Sequence, residues 1–156
     1  MDTTQIPMGT VVVGVDGSPA SEQALDWAIA HASRERRPLT LAHGLDPAGA
    51  VRFDAAASNY DAVVDAMRHD GRELLQHARE RVSRLAPDLA VHESLWQSDA
   101  RVTLLKLAER AHLVVVGSRG RGPVASLLLG SVGVAVSRHA SCPVVVVRPG
   151  HPGAVR

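Results

Sequence analysis

The chain has 156 residues, enough for one domain with a core of its own. Apolar residues make up 46% and charged residues 21%, as in an ordinary globular domain, but aromatics only 3%, so Val, Leu and Ala must fill the interior. The 17 basic residues nearly balance the 16 acidic ones, a net charge of +1, which excludes the broad basic footprint of a nucleic-acid binder or an anionic-membrane binder. Residues 1–9 carry no basic segment followed by an apolar run, so they do not read as a signal peptide. Thr10–Val15 (TVVVGV) is continuously apolar and β-branched, as expected of a strand buried on both faces. Ser18 is a good N-cap and Pro19 suits the first helical position, so a helix follows to about Arg36, with Ala20, Ala24, Trp27, Ala28 and His31 on one face. Pro38 stops it, and Leu39–Gly44 reads as a second strand.

Leu45–Asn59 has no period and reads as a loop. From Tyr60 to Leu85 the residues Val63, Met67, Leu74, Ala78, Val82 and Leu85 recur at helical spacing, although Gly71 inside that helix costs about 1 kcal/mol relative to Ala. Leu89–Trp96 is a third strand. Ser98 is placed to cap a helix through Arg110, with Val102, Leu105 and Ala108 inward. Leu113–Gly117 is a fourth strand, Leu127–His139 a helix and Pro143–Val147 a fifth strand. The single cysteine, Cys142, excludes an internal disulfide, and its place before Pro143 marks a strand entry rather than a nucleophile. Residues 149–156 form a Pro/Gly-rich tail. No stretch approaches the roughly 18 apolar residues of a membrane span, so no membrane partner is expected and a cytoplasmic location fits.

Strands alternating with helices predict one α/β domain over residues 10–148: a doubly wound, five-stranded parallel sheet of order 3-2-1-4-5 with helices on both faces. Winding then reverses between strands one and four, and ligands of open α/β sheets bind outside the C-terminal strand ends at such a switch point. The two loops there are glycine-rich. One is Gly14-Val15-Asp16-Gly17-Ser18; the other is Gly117-Ser118-Arg119-Gly120-Arg121-Gly122, with Gly130-Ser131 further on. Gly lets backbone amides approach a phosphate closely and curl into a nest, and a helix N-terminus adds unpaired donors. The Ser131 hydroxyl is a further donor. Asp16 is acidic, so it suits ribose hydroxyls or a Mg²⁺ held between itself and phosphate. There is no G-x-x-x-x-G-K-[ST], and the residues after the first strand do not match G-x-G-x-x-G, which argues against a P-loop NTPase and an NAD enzyme.

These residues resemble the universal stress protein family. The resemblance runs from TVVVGVDGSPAS at Thr10–Ser21 to LLLGSVGVAVSRHASCPVVVVRP at Leu127–Pro149. The ATP-binding subgroup of that family is marked by G-x2-G-x9-G-[ST], which here is Gly117, Gly120, Gly130 and Ser131. The resemblance implies ATP as ligand, with Mg²⁺. It implies that Asp16 contacts ribose or adenine, that Gly44 lies where the adenine edge is held by backbone, and that Val116 through Gly122, with Gly130, Ser131 and Val132, form the phosphate and ribose loop. It also implies a homodimer through Pro143–Val147. The sequence adds a reason: a bare apolar edge strand without a guarding charge is an aggregation hazard unless paired.

The eight histidines form no metal-binding spacing, and His43, near the site, is expected to be packed or hydrogen-bonded. Trp27 and Trp96 read as core or rim. Arg119 and Arg121 flank the loop, where a phosphate contact and plain solvent exposure both suit their positions. The function expected is a regulatory ATP-binding module with weak or no hydrolysis, no lysine lying near the loop and no second carboxylate pairing with Asp16. A slow nucleotide hydrolase, a cyclic AMP-binding protein and a nucleotide-free interaction protein are the alternatives.

Overall fold

The fold of this chain, a computed structural model, is described over residues 6–53, 59–120 and 129–149, with the side chains of 51–53 excepted. Strand β1 (Thr10–Gly14) is followed by helix α1 (Pro19–Glu35), β2 (Leu39–Gly44), a short α2 (Pro47–Phe53), α3 (Tyr60–Leu85), β3 (Val91–Trp96), α4 (Ala100–Ala108), β4 (Ala111–Gly117), α5 (Ser131–His139) and β5 (Val144–Val147). The five strands make one sheet of order β3-β2-β1-β4-β5, every pair parallel. The winding therefore reverses between β1 and β4, where Val11 pairs with Leu113 and Val13 with Val115.

Alternation along β1 divides the core. Val11, Val13 and Val15 pack under α1 and α3 with Leu25, Ile29, Leu75 and Val82. Val12 faces the other way, with Val114 and Val116, onto Leu104 and Leu107 of α4 and Val136 of α5. Both faces of the sheet are covered, which is why the strands read as unbroken apolar runs.

The expected loop at Leu45–Asn59 contains α2. Asp46 starts it: its Oδ1 accepts from the Gly49 amide at 3.0 Å, and Pro47 occupies the first helical position. Ser98 does not cap α4. Asp99 does, accepting from the Arg101 amide at 2.7 Å, while the Ser98 hydroxyl bonds Thr103 Oγ1 at 2.9 Å. That leaves the inward face of α4 one residue from expectation. Thr103, Leu104, Leu107 and Ala108 are buried and Val102 is exposed, since Thr103 satisfies its hydroxyl on Ser98 and on the Asp99 carbonyl. In α3 the buried stripe is Val64, Gly71, Leu75, Ala78 and Val82, and Leu85 is exposed. On α1, Ala20, Ala24 and Ala28 are buried, but Trp27 lies on the surface, stacked on His31 with ring centroids 4.8 Å apart. Helix α5 begins at Ser131, and residues 127 and 128 of the expected helix fall outside the described residues.

Candidate functional site

The C-terminal ends of β1 and β4 lie side by side, and the two predicted loops leave from them. The β1 exit is held rigidly. Gly17 has φ 76, the left-handed turn that favours glycine. Asp16 Oδ1 accepts from the Ser18 amide at 2.9 Å, the Asp16 amide donates to Ser21 Oγ at 3.3 Å, and Ser18 Oγ accepts from the Ser21 amide at 3.2 Å as the cap of α1. The other carboxylate oxygen faces across the switch point: a Cβ built on Gly120 would stand 2.9 Å from Asp16 Oδ2. Asp16 and Gly120 are thus brought together, as their loop positions predict.

The β4 exit is anchored at Ser118, which is buried. Its amide donates to the Val147 carbonyl at 2.8 Å and its carbonyl accepts from the Gly130 amide at 2.9 Å. This pair of bonds seats the start of α5 above the end of β4. Gly130 is the N-cap, so no cap side chain bonds the first turn, and the first intrahelical bond found there among the described residues runs from Val134 N to Gly130 O. The amides of Ser131, Val132 and Gly133 belong to the first turn and have no intrahelical acceptor. The other long helices differ: Ser18, Asn59 and Asp99 each cap theirs by side chain.

The glycines of the G-x2-G-x9-G pattern have unequal reasons to be glycine. A Cβ on Gly117 would lie 2.7 Å from the carbonyl carbon of Ala20 and 2.8 Å from its oxygen, so the close approach of β4 to α1 demands glycine. Gly120 is limited by Asp16. Among the described residues Gly130 meets no such limit: its φ is −70, open to any residue, and the nearest of their atoms to a built Cβ stand 3.8 Å away.

The remaining predicted residues sort by exposure. Val116 is buried and points into the α4/α5 core, so only its backbone reaches the loop. Val132 packs on the same cluster, whereas Ser131 and Arg119 are exposed. Arg121 and Gly122 lie outside the described residues. Gly14 faces Leu104 of α4, with 3.3 Å from a built Cβ to its Cδ1. Gly44 is covered by the start of α4: a Cβ there would come within 2.7 Å of the Ser98 carbonyl and 2.8 Å of Thr103 Oγ1, so packing alone requires glycine. The sequence reading missed Ser21, whereas His43 is hydrogen-bonded as expected. His43 Nδ1 stands 2.6 Å from the Val15 carbonyl oxygen. The Ser18-x-x-Ser21 spacing was a capping signal that could have found Ser21.

No group of three His, Cys, Asp or Glu side chains among the described residues is arranged to hold a metal. An open groove of about 380 Å³ runs between α4 and α5, lined by Arg101, Ser131 and Arg138 among others; of the described residues of the predicted loop it includes Ser131. The Arg101 guanidinium, hydrogen-bonded to Asp99, holds that carboxyl below its ordinary value. Burial pushes the Cys142 thiol up, away from nucleophile character.

Against known proteins, the model of the Universal stress protein family matches residues 8–148. The chain belongs to the universal stress protein family. A universal stress protein of Mycobacterium tuberculosis is 35% identical over 140 residues, which cover 88% of this chain and 46% of that protein. One from Mycolicibacterium smegmatis is 37% identical over 139 residues, covering 89% of this chain and 45% of that one. This universal stress protein thus spans about half the length of the curated relatives it matches. Among solved structures, the universal stress protein UspA from Lactobacillus plantarum superposes with a TM-score of 0.73 at 23% identity, over 92% of this chain and all of that one, a likeness of fold. A universal stress protein in complex with cAMP superposes with a TM-score of 0.68 at 28% identity, over 91% of this chain and 98% of that one. No helix among the described residues is long and apolar enough to cross a membrane.

Proposed function

We propose that this universal stress protein binds an adenine nucleotide, ATP with Mg²⁺, at the β1/β4 switch point, and acts as a regulatory module rather than a catalyst. The observation that carries the reading is the start of α5. Among the described residues no side chain caps it, it is fixed over the end of β4 through Ser118, and its N-cap is a glycine that neither its conformation nor the packing of those residues requires. A glycine without an internal reason fits a ligand that comes close to the backbone there. The amides of Ser131 and Val132 and the Ser131 hydroxyl face the phosphates in this reading, and Asp16 accepts from the ribose. The relative of known structure bound to cAMP supports an adenine nucleotide. The described residues form no all-protein cage for a metal, so Mg²⁺ would arrive held by the phosphate oxygens of the nucleotide, with Asp16 the one predicted carboxylate that could reach it in place of the ribose.

The second part of the reading is a homodimer through β5. The two sheet edges differ. Edge strand β3 exposes His92 and Glu93, while Val144–Val147 of β5 are four half-buried valines with no charge among them.

The test is calorimetric titration with ATP, ADP, AMP and cyclic AMP, with and without Mg²⁺, on the wild type and on Gly130→Ala. ATP bound best, with at least roughly tenfold loss in Gly130→Ala, is the expected result. Cyclic AMP bound best moves the reading to a cyclic-nucleotide sensor, and steady phosphate release moves it to a hydrolase. No binding of any of the four by folded protein overturns it in favour of an interaction protein.

A further inference from the structure

We propose that His43 is a positioning residue for the ribose end of the ligand, acting through the peptide that carries Asp16; this rests on the nucleotide reading above. His43 is the penultimate residue of β2, and its Nδ1 lies 2.6 Å from the Val15 carbonyl oxygen. A carbonyl oxygen only accepts, so Nδ1 carries the proton and donates. The amide at the other pole of the same peptide plane, Asp16 N–H, donates to Ser21 Oγ at 3.3 Å. The Val15–Asp16 plane is therefore held at both poles, the oxygen by His43 and the nitrogen by Ser21. Val15 itself is tied to the sheet, its amide donating to the Ala42 carbonyl at 2.9 Å. Rotation of this one peptide is what would swing the Asp16 carboxylate away from Gly120 and out of the switch point.

The ring has its own support. A Cβ built on Gly71 of α3 would stand 3.2 Å from His43 Cδ2, 3.2 Å from Leu45 Cδ2 and 2.9 Å from Leu95 Cδ1. Glycine in mid-helix is unfavourable by propensity, and here it is the clearance that lets α3 close over the imidazole and two leucines. The line of contact runs from Gly71 to His43, to the Val15 carbonyl, to Asp16. Each link is a packing contact or a hydrogen bond, and the last one reaches the group assigned to the ribose hydroxyls.

The experiment compares ATP with 2′,3′-dideoxy-ATP, which lacks the hydroxyls that Asp16 accepts from, on wild type, Asp16→Ala, His43→Leu and His43→Asn. Leucine keeps bulk without a donor; the asparagine amide puts a donor near the place of Nδ1. The expected result is a wild-type preference for ATP over the dideoxy nucleotide that falls roughly tenfold in both Asp16→Ala and His43→Leu, the size of one lost hydrogen bond, and is restored in His43→Asn. Nitrogen-15 spectra of the wild type should show His43 protonated at Nδ1. A His43→Leu variant that weakens both nucleotides equally has only a structural role, and one that weakens neither has no role; both overturn the proposal, as does an Nδ1 without its proton. Absence of any wild-type nucleotide binding removes the nucleotide reading itself, a different failure that the wild-type titration alone reveals.

Discussion

Substituting Gly117 by Ala separates what the fold asks of the glycine loop from what a ligand asks. The new Cβ would meet Ala20 at 2.7 Å (carbonyl carbon), 2.8 Å (carbonyl oxygen) and 2.9 Å (Cβ). These are atoms of the first turn of α1, which the Ser18 cap and Pro19 hold in place, so no flexible side chain can yield. Relief requires moving α1 against β4, and overpacking of this sort costs about 1–3 kcal/mol. In a domain of this size each kcal/mol lowers the melting temperature by about 2–4 °C, so Gly117→Ala should melt roughly 2–12 °C below the wild type. Gly130→Ala is the matched control. With φ −70 and 3.8 Å of clearance it should lose less than about 1 kcal/mol, the difference between glycine and alanine as a cap. Thermal unfolding without ligand, followed by circular dichroism, reads both. Equal melting of Gly117→Ala and wild type would refute the steric assignment, and a large loss in Gly130→Ala would refute the claim that the fold does not need glycine there. Loss of binding in a Gly117 variant is therefore no measure of the phosphate site, because the scaffold fails first.

Three further outcomes are expected. Asp99→Ala should cost about 1 kcal/mol at pH 7 through the lost cap of α4; because the folded carboxyl titrates below its ordinary value, the wild-type advantage should hold above the usual carboxylate range near pH 4 and fade as pH falls through the depressed value, which denaturant unfolding across pH would show. Arg81 grips Asp26 with two bonds of 2.6 and 2.7 Å between α3 and α1, but the side chains are 35% and 42% exposed, so Arg81→Ala should cost less than about 1 kcal/mol, and raising the salt concentration in the same unfolding assay should shrink the loss. The carbonyls of Pro143, just before β5, and of Val147 accept from the amides of Val114 in β4 and Ser118 just after it, so by alternation the polar groups of Val146 point off the sheet; Val146→Pro should leave the β4 pairing intact and abolish self-association in sedimentation velocity, and a wild type that stays monomeric at all concentrations overturns the β5 dimer.

The strand order was legible because each central strand is buried on both faces and must be an unbroken β-branched run, as at Val11–Val13 of β1 and Val114–Val116 of its neighbour β4. Helix faces were less legible. In α4 the expected Val102 and Leu105 and the observed Leu104 and Leu107 compete for the stripe that Ala108 shares in both readings. The choice falls to Thr103, a polar residue that enters the core only because Ser98 and the Asp99 carbonyl bond its hydroxyl. Helix α2 was missed because seven residues are too few to show a period, although Asp46-Pro47 carried the signal of a helix start.

The glycines show most clearly where a sequence stops being readable. Gly44, Gly71, Gly117 and Gly130 look alike in the chain, and the spacing of the last two looked like one ligand motif. In three dimensions the first three are each closed by a neighbour: the Ser98 carbonyl, the Leu95 and His43 side chains, and the backbone of Ala20. The fourth alone among these four meets no close atom of the described residues. A spacing pattern records that glycine is required, and the requirement can come from either side of the backbone. The distances around a built Cβ tell which side, and here they assign Gly117 to the scaffold that holds β4 against α1 and leave Gly130, above Ser118 at the start of α5, as the position whose glycine the atoms of the described residues do not explain.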